Sequence, residues 1–433
     1  MTKEHLNRRS LFWICVLALF TAALSFSIRT GVSGAIKVAL LDQAAPLRSG
    51  EMIAAALGNS FLGFALSLLV ISPLLDVFGA KRTILFASVC FIAGPLLILL
   101  SPSVQGISAV YGMLTSGMIV CGFGWGATEA TINPITAALY PDDKTGQLNR
   151  LHAWWPAGIV FGGLVGLLFL ENLGLDWRVS IALIMVPAMV FGVWAMTQTF
   201  PPTESTVLGV PFKEMLAEPF KRPTFWIFFA IMFLTASTEL APGSWVDIAL
   251  TQTVGMPGIL VLAYVSSIMF VMRHFAGALE HRFSDMGLLW ISTVPAAVGL
   301  YLLSIASTPL AALAAATSWA LGVSFMWPTM LAAVARRYPR GGSWSIGIVG
   351  FAGAMAIYFV LPWIGRIYDR AKLEAAGGEA AFAMLVPGPE LQRVLAFAAE
   401  RSFQAVVIAP IVLFAIFGAI CLTEKRRRQA VGQ

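Results

Sequence analysis

Three residues at helical spacing carry the first chemistry in this chain. Trp125, Glu129 and Asn133 recur every four residues through "WGATEATINPITAALYP", so on a helix they share one face. Together they supply an aromatic ring, a titratable acid and an amide. A sugar needs such a set: an apolar face to stack on, with donors and acceptors for its hydroxyls. The surroundings sharpen the point, because no charged residue lies between Gly106 and Thr128. An ionisable group in such a run costs several kcal/mol unless it meets a partner or a polar cavity. A carboxyl withdrawn from water also exchanges its proton closer to neutral pH. Counted back from Tyr140, Glu129 lies roughly 16 Å along a helix at ~1.5 Å per residue, near mid-membrane. The competing reading is a glutamate paired permanently with an arginine.

The elements that must position these residues are membrane helices. Of 433 residues, 58% are hydrophobic and only 12% charged, against about 25% charged in soluble domains. Mean hydropathy is +0.82. Backbone amides that leave water must be satisfied within their own segment, so the apolar runs are helices. Hydropathy predicts twelve spans, near 11–35, 52–76, 83–101, 107–140, 151–171, 179–199, 224–250, 257–280, 287–305, 309–335, 345–366 and 402–422. The polar break "FPPTESTVLGVPFKEMLAEPFKR" divides them into halves of six. The expected domains are an N-terminal bundle (1–200), a cytoplasmic linker (201–222) and a C-terminal bundle (223–433).

Charge orients this array. With both termini inside, eighteen of the 28 Lys/Arg face the cytoplasm and eight face outward, leaving Arg29 and Arg273 within spans. That bias is the positive-inside rule; the expected location is a cytoplasmic (inner) membrane. The net charge of +6 is therefore loop charge and not a nucleic-acid signal. No cleavable signal peptide is expected, since the first apolar run lacks a small-residue cleavage site. Residues 367–401, charged and outside, read as a loop plus a short helix. Cys15, Cys90, Cys121 and Cys421 lie scattered in apolar runs and read as core residues without metal or disulfide. No cofactor is expected, and no nucleophile–base or metal constellation marks an enzyme. The absence of a Gly-Lys-Ser/Thr phosphate loop argues against ATP drive.

The two halves carry related segments. "SPLLDVFGAKR" follows the second span and "GALEHRFSDMG" the eighth, about 205 residues apart. The first resembles the loop signature of the major facilitator superfamily, Gly-x-x-x-Asp-Arg-x-Gly-Arg-Arg/Lys. Asp76, Gly79, Lys81 and Arg82 stand at its main positions, while Ser72 and Val77 depart from it. In the second half Gly277, Arg282 and Phe283 match, with His281 in place of the Asp. The resemblance implies twelve transmembrane helices in two pseudo-symmetric six-helix halves, an all-α polytopic fold. It also implies a gating latch at Asp76, Lys81 and Arg82, echoed at His281 and Arg282.

A narrower resemblance covers both halves. "TEATINPITAALYPDDKTGQLNRLHAWWPAG", "TELAPGSWVDIAL", "RHFAG" and "FMWPTMLAA" with its Gly-rich sequel are similar to segments of the fucose:proton symporter family. It implies a secondary transporter that moves a monosaccharide or similar polyol by alternating access, proton-coupled through Glu129 and most simply monomeric in the bilayer. By family position Glu239 and Trp245 approach the cavity, and Asp247 lies near the outer end. That family's acidic residue in the first span is missing; Arg29 stands there instead, either snorkelling outward or facing the cavity to pair with Glu129 or hold an anion. Arg273, mid-span, is either paired or a substrate contact. Asn59 and Gln198 read as polar lining, and Trp154, Trp155, Phe325 and Trp327 as stacking candidates. His152 reads as a packing or loop residue. Two alternatives stay open: an anion transporter using Arg29 and Arg273, and an efflux pump for apolar compounds.

Overall fold

A computed structural model of the chain describes residues 6–42, 45, 49–166, 168–169, 173–254, 256, 258–386 and 388–431. Every regular element among them is a helix. The first half contains α1 (Arg8–Gly31), α2 (Ser33–Leu40), α3 (Ser49–Phe78), α4 (Ala80–Leu100), α5 (Ile107–Leu139), α6 (Lys144–His152), α7 (Trp154–Gly166), α8 (Trp177–Leu183) and α9 (Met185–Met196). The linker folds into α10 (Glu204–Val207) and α11 (Phe212–Lys221). The second half contains α12 (Pro223–Val254), α13 (Gly258–Arg273), α14 (Ala276–Phe283), α15 (Asp285–Ser304), α16 (Pro309–Val323), α17 (Met326–Arg337), α18 (Gly342–Ala376), α19 (Glu379–Ala383) and α20 (Pro389–Val431).

Ten stretches among the described residues are long and apolar enough to cross a bilayer, and the bent pair α13–α14 makes an eleventh. Helix α7 occupies the fifth place in the twelve-span order with the thirteen residues that are described. The repeat is visible in the packing. In the first half α3 packs on α5, α4 on α5 and α4 on α9; in the second, α13 packs on α16, α15 on α16 and α15 on α20. These are the same span pairings, each moved six spans along the chain.

Two stretches differ from the sequence expectation. Residues 367–401 are mostly helix: the end of α18, the five-residue α19 and the first turns of α20. Gln198 is not mid-span, because α9 stops at Met196 and Gln198 bonds to the Thr197 hydroxyl beyond its end. By contact the chain forms two units, Met1–Trp226 with Val334–Phe351, and Ile227–Ala333 with Ala352–Gln433. The linker and the stretch 334–351 thus belong to the first unit: Arg336 donates to the Thr145 hydroxyl, Arg340 pairs with Glu214, and the Trp344 indole donates to the Leu216 carbonyl.

Helix α5 positions the first candidate site. Every residue from Gly124 to Ala137 is buried, so this stretch is surrounded by protein, the setting in which a membrane helix can carry polar groups. Glycines bring the neighbouring helix close. A Cβ on Gly122 would overlap the Ser60 carbonyl, and one on Gly126 would overlap the Ser67 side chain. Small residues that allow backbones to approach are the common basis of helix association in membranes.

Candidate functional site

In the first unit the expected face of α5 is present, and it is extended by a residue from the next helix. Asn133 Nδ2 donates to Glu129 Oε2 at 2.7 Å and to the Glu129 carbonyl at 2.8 Å. Its Oδ1 lies 2.8 Å from His152 Nε2, which donates to it. The imidazole nitrogen also stands 3.9 Å from Glu129 Oε2. All three side chains are buried, at 2–5% exposure. His152, read from sequence as a loop or packing residue, thus joins a polar chain inside the bundle. A signal for it existed: Asn133 lies nine residues before Asp142 and His152 ten after it. Two antiparallel helices joined by the Pro141–Asp143 turn bring such positions level.

Next to this chain is a stack of aromatic rings. Trp125 lies parallel to Phe64 at 4.1 Å and to Trp155 at 4.7 Å between ring centroids, and Trp155 stacks in turn on Phe26. Both faces of Trp125 are therefore covered, so its expected role as a stacking platform fails on geometry. What it offers is an edge: the indole Nε1–H is buried without a hydrogen-bond partner. A buried donor left unmade costs about 1–3 kcal/mol, which an oxygen atom arriving at that edge would recover. Asn59 is half-buried on α3. Trp154 lies edge-on to Trp13 at 5.5 Å and to Phe20 at 6.5 Å.

Arg29 does not snorkel and does not pair with Glu129. It is 2% exposed, with Nε donating to the Ser25 carbonyl and hydroxyl and Nη1 directed at the Met118 sulfur. No carboxylate reaches it among the described residues. Such a guanidinium, buried with no carboxylate partner among the described residues, invites an anion.

In the second unit Glu239 and Arg273 meet. Arg273 Nη2 bonds Glu239 Oε1 at 2.7 Å, with both side chains at 2–3% exposure. The pair is tied to two breaks in helices. Arg273 ends α13, where the chain turns by 61° into α14. Its Nε donates at 2.6 Å to the carbonyl of Ser324, in the gap between α16 and α17. Glu239 Oε2 accepts the Trp327 backbone N–H at 3.2 Å on the far side of that gap. A broken span frees backbone groups that lipid cannot satisfy, and here a guanidinium and a carboxylate take up one of each. Arg273 is thus a paired residue. Phe325 packs with Ala276 and Leu288, and Trp327 lies against Gly353; both fill the core. The side chains of Trp245 and Asp247 lie outside the described residues.

The two loop signatures diverge. Asp76 accepts hydrogen bonds from the Thr203 and Ser205 hydroxyls of the linker, and Lys81 Nζ bonds the Met196 carbonyl at 2.6 Å. Lys144 pairs with Glu204, between those two linker residues. Arg82 is exposed. In the second half His281 and Arg282 are exposed too, and Arg282 lies over the Phe283 ring.

Ten or eleven apolar spans among the described residues, an internal six-span repeat and ionisable groups sealed inside the bundles describe a multi-pass membrane protein. A sequence profile described as Major Facilitator Superfamily matches residues 15–358, and the chain belongs to that superfamily. Over 149 residues, 33% of this chain, it is 26% identical to Sugar transport protein 5 of Arabidopsis thaliana, and the stretch spans only 27% of that relative. The fold is similar to that of the proton:xylose symporter XylE bound to 6-bromo-6-deoxy-D-glucose, with TM-score 0.72, 13% identity and 95% of each chain covered. It is also similar to the Escherichia coli fucose:proton symporter FucP, with TM-score 0.64, 16% identity, and 92% of this chain and 98% of that one covered. At these identities the likeness is one of fold, and at that level the resemblance to the fucose symporter is met. The protein is a membrane transporter and not an enzyme.

Proposed function

We propose that this chain moves a monosaccharide or similar small polyol across the cytoplasmic membrane by alternating access, coupled to protons through Glu129, with both termini inside. The observation that carries the reading is the buried carboxylate of Glu129 on Asn133, one helical turn from an unpartnered indole N–H at the edge of an aromatic stack. A titratable acid, a donor edge and rings in one bundle suit a hydroxyl-rich solute and a proton. Sugar transport by the matched plant relative and by the two solved symporters supports the substrate class.

The test is uptake into proteoliposomes over a panel of monosaccharides and organic anions, with and without an inward proton gradient. Glu129→Gln is expected to abolish accumulation of the transported sugar while sparing exchange of labelled for unlabelled sugar. Gradient-driven accumulation by that variant would remove Glu129 from coupling. A second reading, transport of an anion, is favoured by one observation, the buried Arg29 with no carboxylate partner among the described residues. Arg273 no longer contributes to it, because Glu239 already neutralises that guanidinium. Uptake of an organic anion that Arg29→Gln abolishes would establish that reading over the first.

A further inference from the structure

Glu129 has a second titratable group at hand. His152 closes α6 with its ring buried, and its Nε2 lies 3.9 Å from Glu129 Oε2. Asn133 stands between them and bonds both. The amide fixes the direction of these bonds. Because Nδ2 is a donor, it matches an ionised carboxylate; because Oδ1 is only an acceptor, Nε2 must present a hydrogen to it. A carboxylate and an imidazole N–H are thereby held side by side on one amide.

The ionisable residues of the surrounding elements of the first unit include Arg337, beside Arg336 in the stretch 334–351. On α1, Cys15 is the ionisable residue between Leu11 and Ile28, and the Arg29 guanidinium bonds Ser25 and Met118. Helix α3 has none between Met52 and Leu75, and α7 has none from Trp154 to Gly166. On α4, Lys81 and Arg82 lie at its first turn and Cys90 is its other ionisable residue; on α5 the others are Tyr111 and Cys121. On α6, Lys144 pairs with Glu204 and Arg150 is exposed. Arg336, from the stretch 334–351, reaches Thr145 at the opposite end of α6.

We propose that Glu129 and His152 form one proton-sharing pair bridged by Asn133, with His152 the second proton carrier of the transport site. The proposal rests on the reading of Glu129 as the coupling group. With Glu129 ionised and His152 neutral, the pair carries one negative charge. An arriving proton is held on Nδ1, as an imidazolium beside the carboxylate, or, when the Nδ1–H bond breaks and an O–H bond forms on Glu129 by exchange with water, as a carboxylic acid beside a neutral imidazole whose Nε2–H still meets Asn133 Oδ1. Both forms have the same net charge. Groups coupled in this way titrate as a pair, and each alters the proton affinity of the other by the same factor.

The experiment needs neither sugar nor gradient. The purified full-length protein in lipid is titrated with pH. The Glu129 carboxyl stretch is followed by infrared difference spectroscopy and identified by its loss in Glu129→Gln; the imidazole is followed by nitrogen NMR of labelled histidine. The expected result is a reciprocal shift. His152→Gln moves the carboxyl midpoint by about tenfold in proton affinity, and Glu129→Gln moves the His152 midpoint by the same factor. A change under about twofold in either would overturn the pair. If His152→Gln does not purify folded, the Glu129→Gln half decides, with His→Gln changes at His5, His274 and His281 used to assign the signal. Loss of coupling in these titrations with intact gradient-driven uptake would sink His152 and leave Glu129 standing. The reverse result would sink proton-driven sugar uptake and leave the pair.

Discussion

Glu129 and Glu239 are equally buried, at 5% exposure, yet their neighbours differ in kind. Glu239 has a guanidinium at 2.7 Å and a backbone N–H, both fixed donors that cannot change charge at accessible pH. Glu129 has an amide at 2.7 Å and an imidazole beyond it, so its surroundings tolerate a change of charge. The same residue type pins broken helices in one unit and, on our proposal, exchanges a proton in the other. A carboxylate in a membrane is therefore read by its partner more than by its depth.

Substitutions can break or sharpen this contrast. The largest effect belongs to the pin. Arg273→Met leaves the Glu239 carboxylate buried and the Ser324 carbonyl without its donor, and is expected to destabilise the protein by about 3–5 kcal/mol. Chemical unfolding in detergent measures this, and a stability equal to wild type would show that the pair pins nothing. Next comes Asp76→Ala, which strips the Thr203 and Ser205 hydroxyls of their charged acceptor. A loss of about 2 kcal/mol is expected, read in the same assay, together with faster proteolysis of the linker.

Trp125→Phe separates stacking from the indole edge. The ring between Phe64 and Trp155 remains while a buried, unpartnered N–H is removed. Stability should hold or rise by about 1 kcal/mol, while KM for the transported solute rises about tenfold. An unchanged KM would take the donor edge out of the binding site. The smallest effect is expected at His281→Ala, exposed in the second loop, with a change within about 0.5 kcal/mol. A loss as large as that at Asp76 would mean that the two loops act alike.

Several features were legible in the residue string because they depend on local rules. Apolar runs, the charge bias of loops and the four-residue spacing of Trp125, Glu129 and Asn133 follow from bilayer thickness and helix period. The repeat of "SPLLDVFGAKR" and "GALEHRFSDMG" announced the halves, and the packing pairs recur as that repeat requires. Partnership was another matter. Arg29 could snorkel, pair with Glu129 or hold an anion; its burial and its bonds to Ser25 and Met118 remove the first two and leave the third. Trp125 looked like a free platform until Phe64 and Trp155 covered both faces.

By itself, then, the sequence determined that the chain crosses a membrane many times in two related halves, and that Glu129 on α5 and Arg273 at the end of α13 would need compensation there. Only the tertiary structure decided what compensates each: Glu239 for Arg273 across a helix break, Asn133 and His152 for Glu129 across a turn. Helix period fixes which residues share a face, but which face meets which depends on crossings between distant segments. The desolvation cost of a buried charge is set by the side chain, and the group that offsets it is chosen by packing.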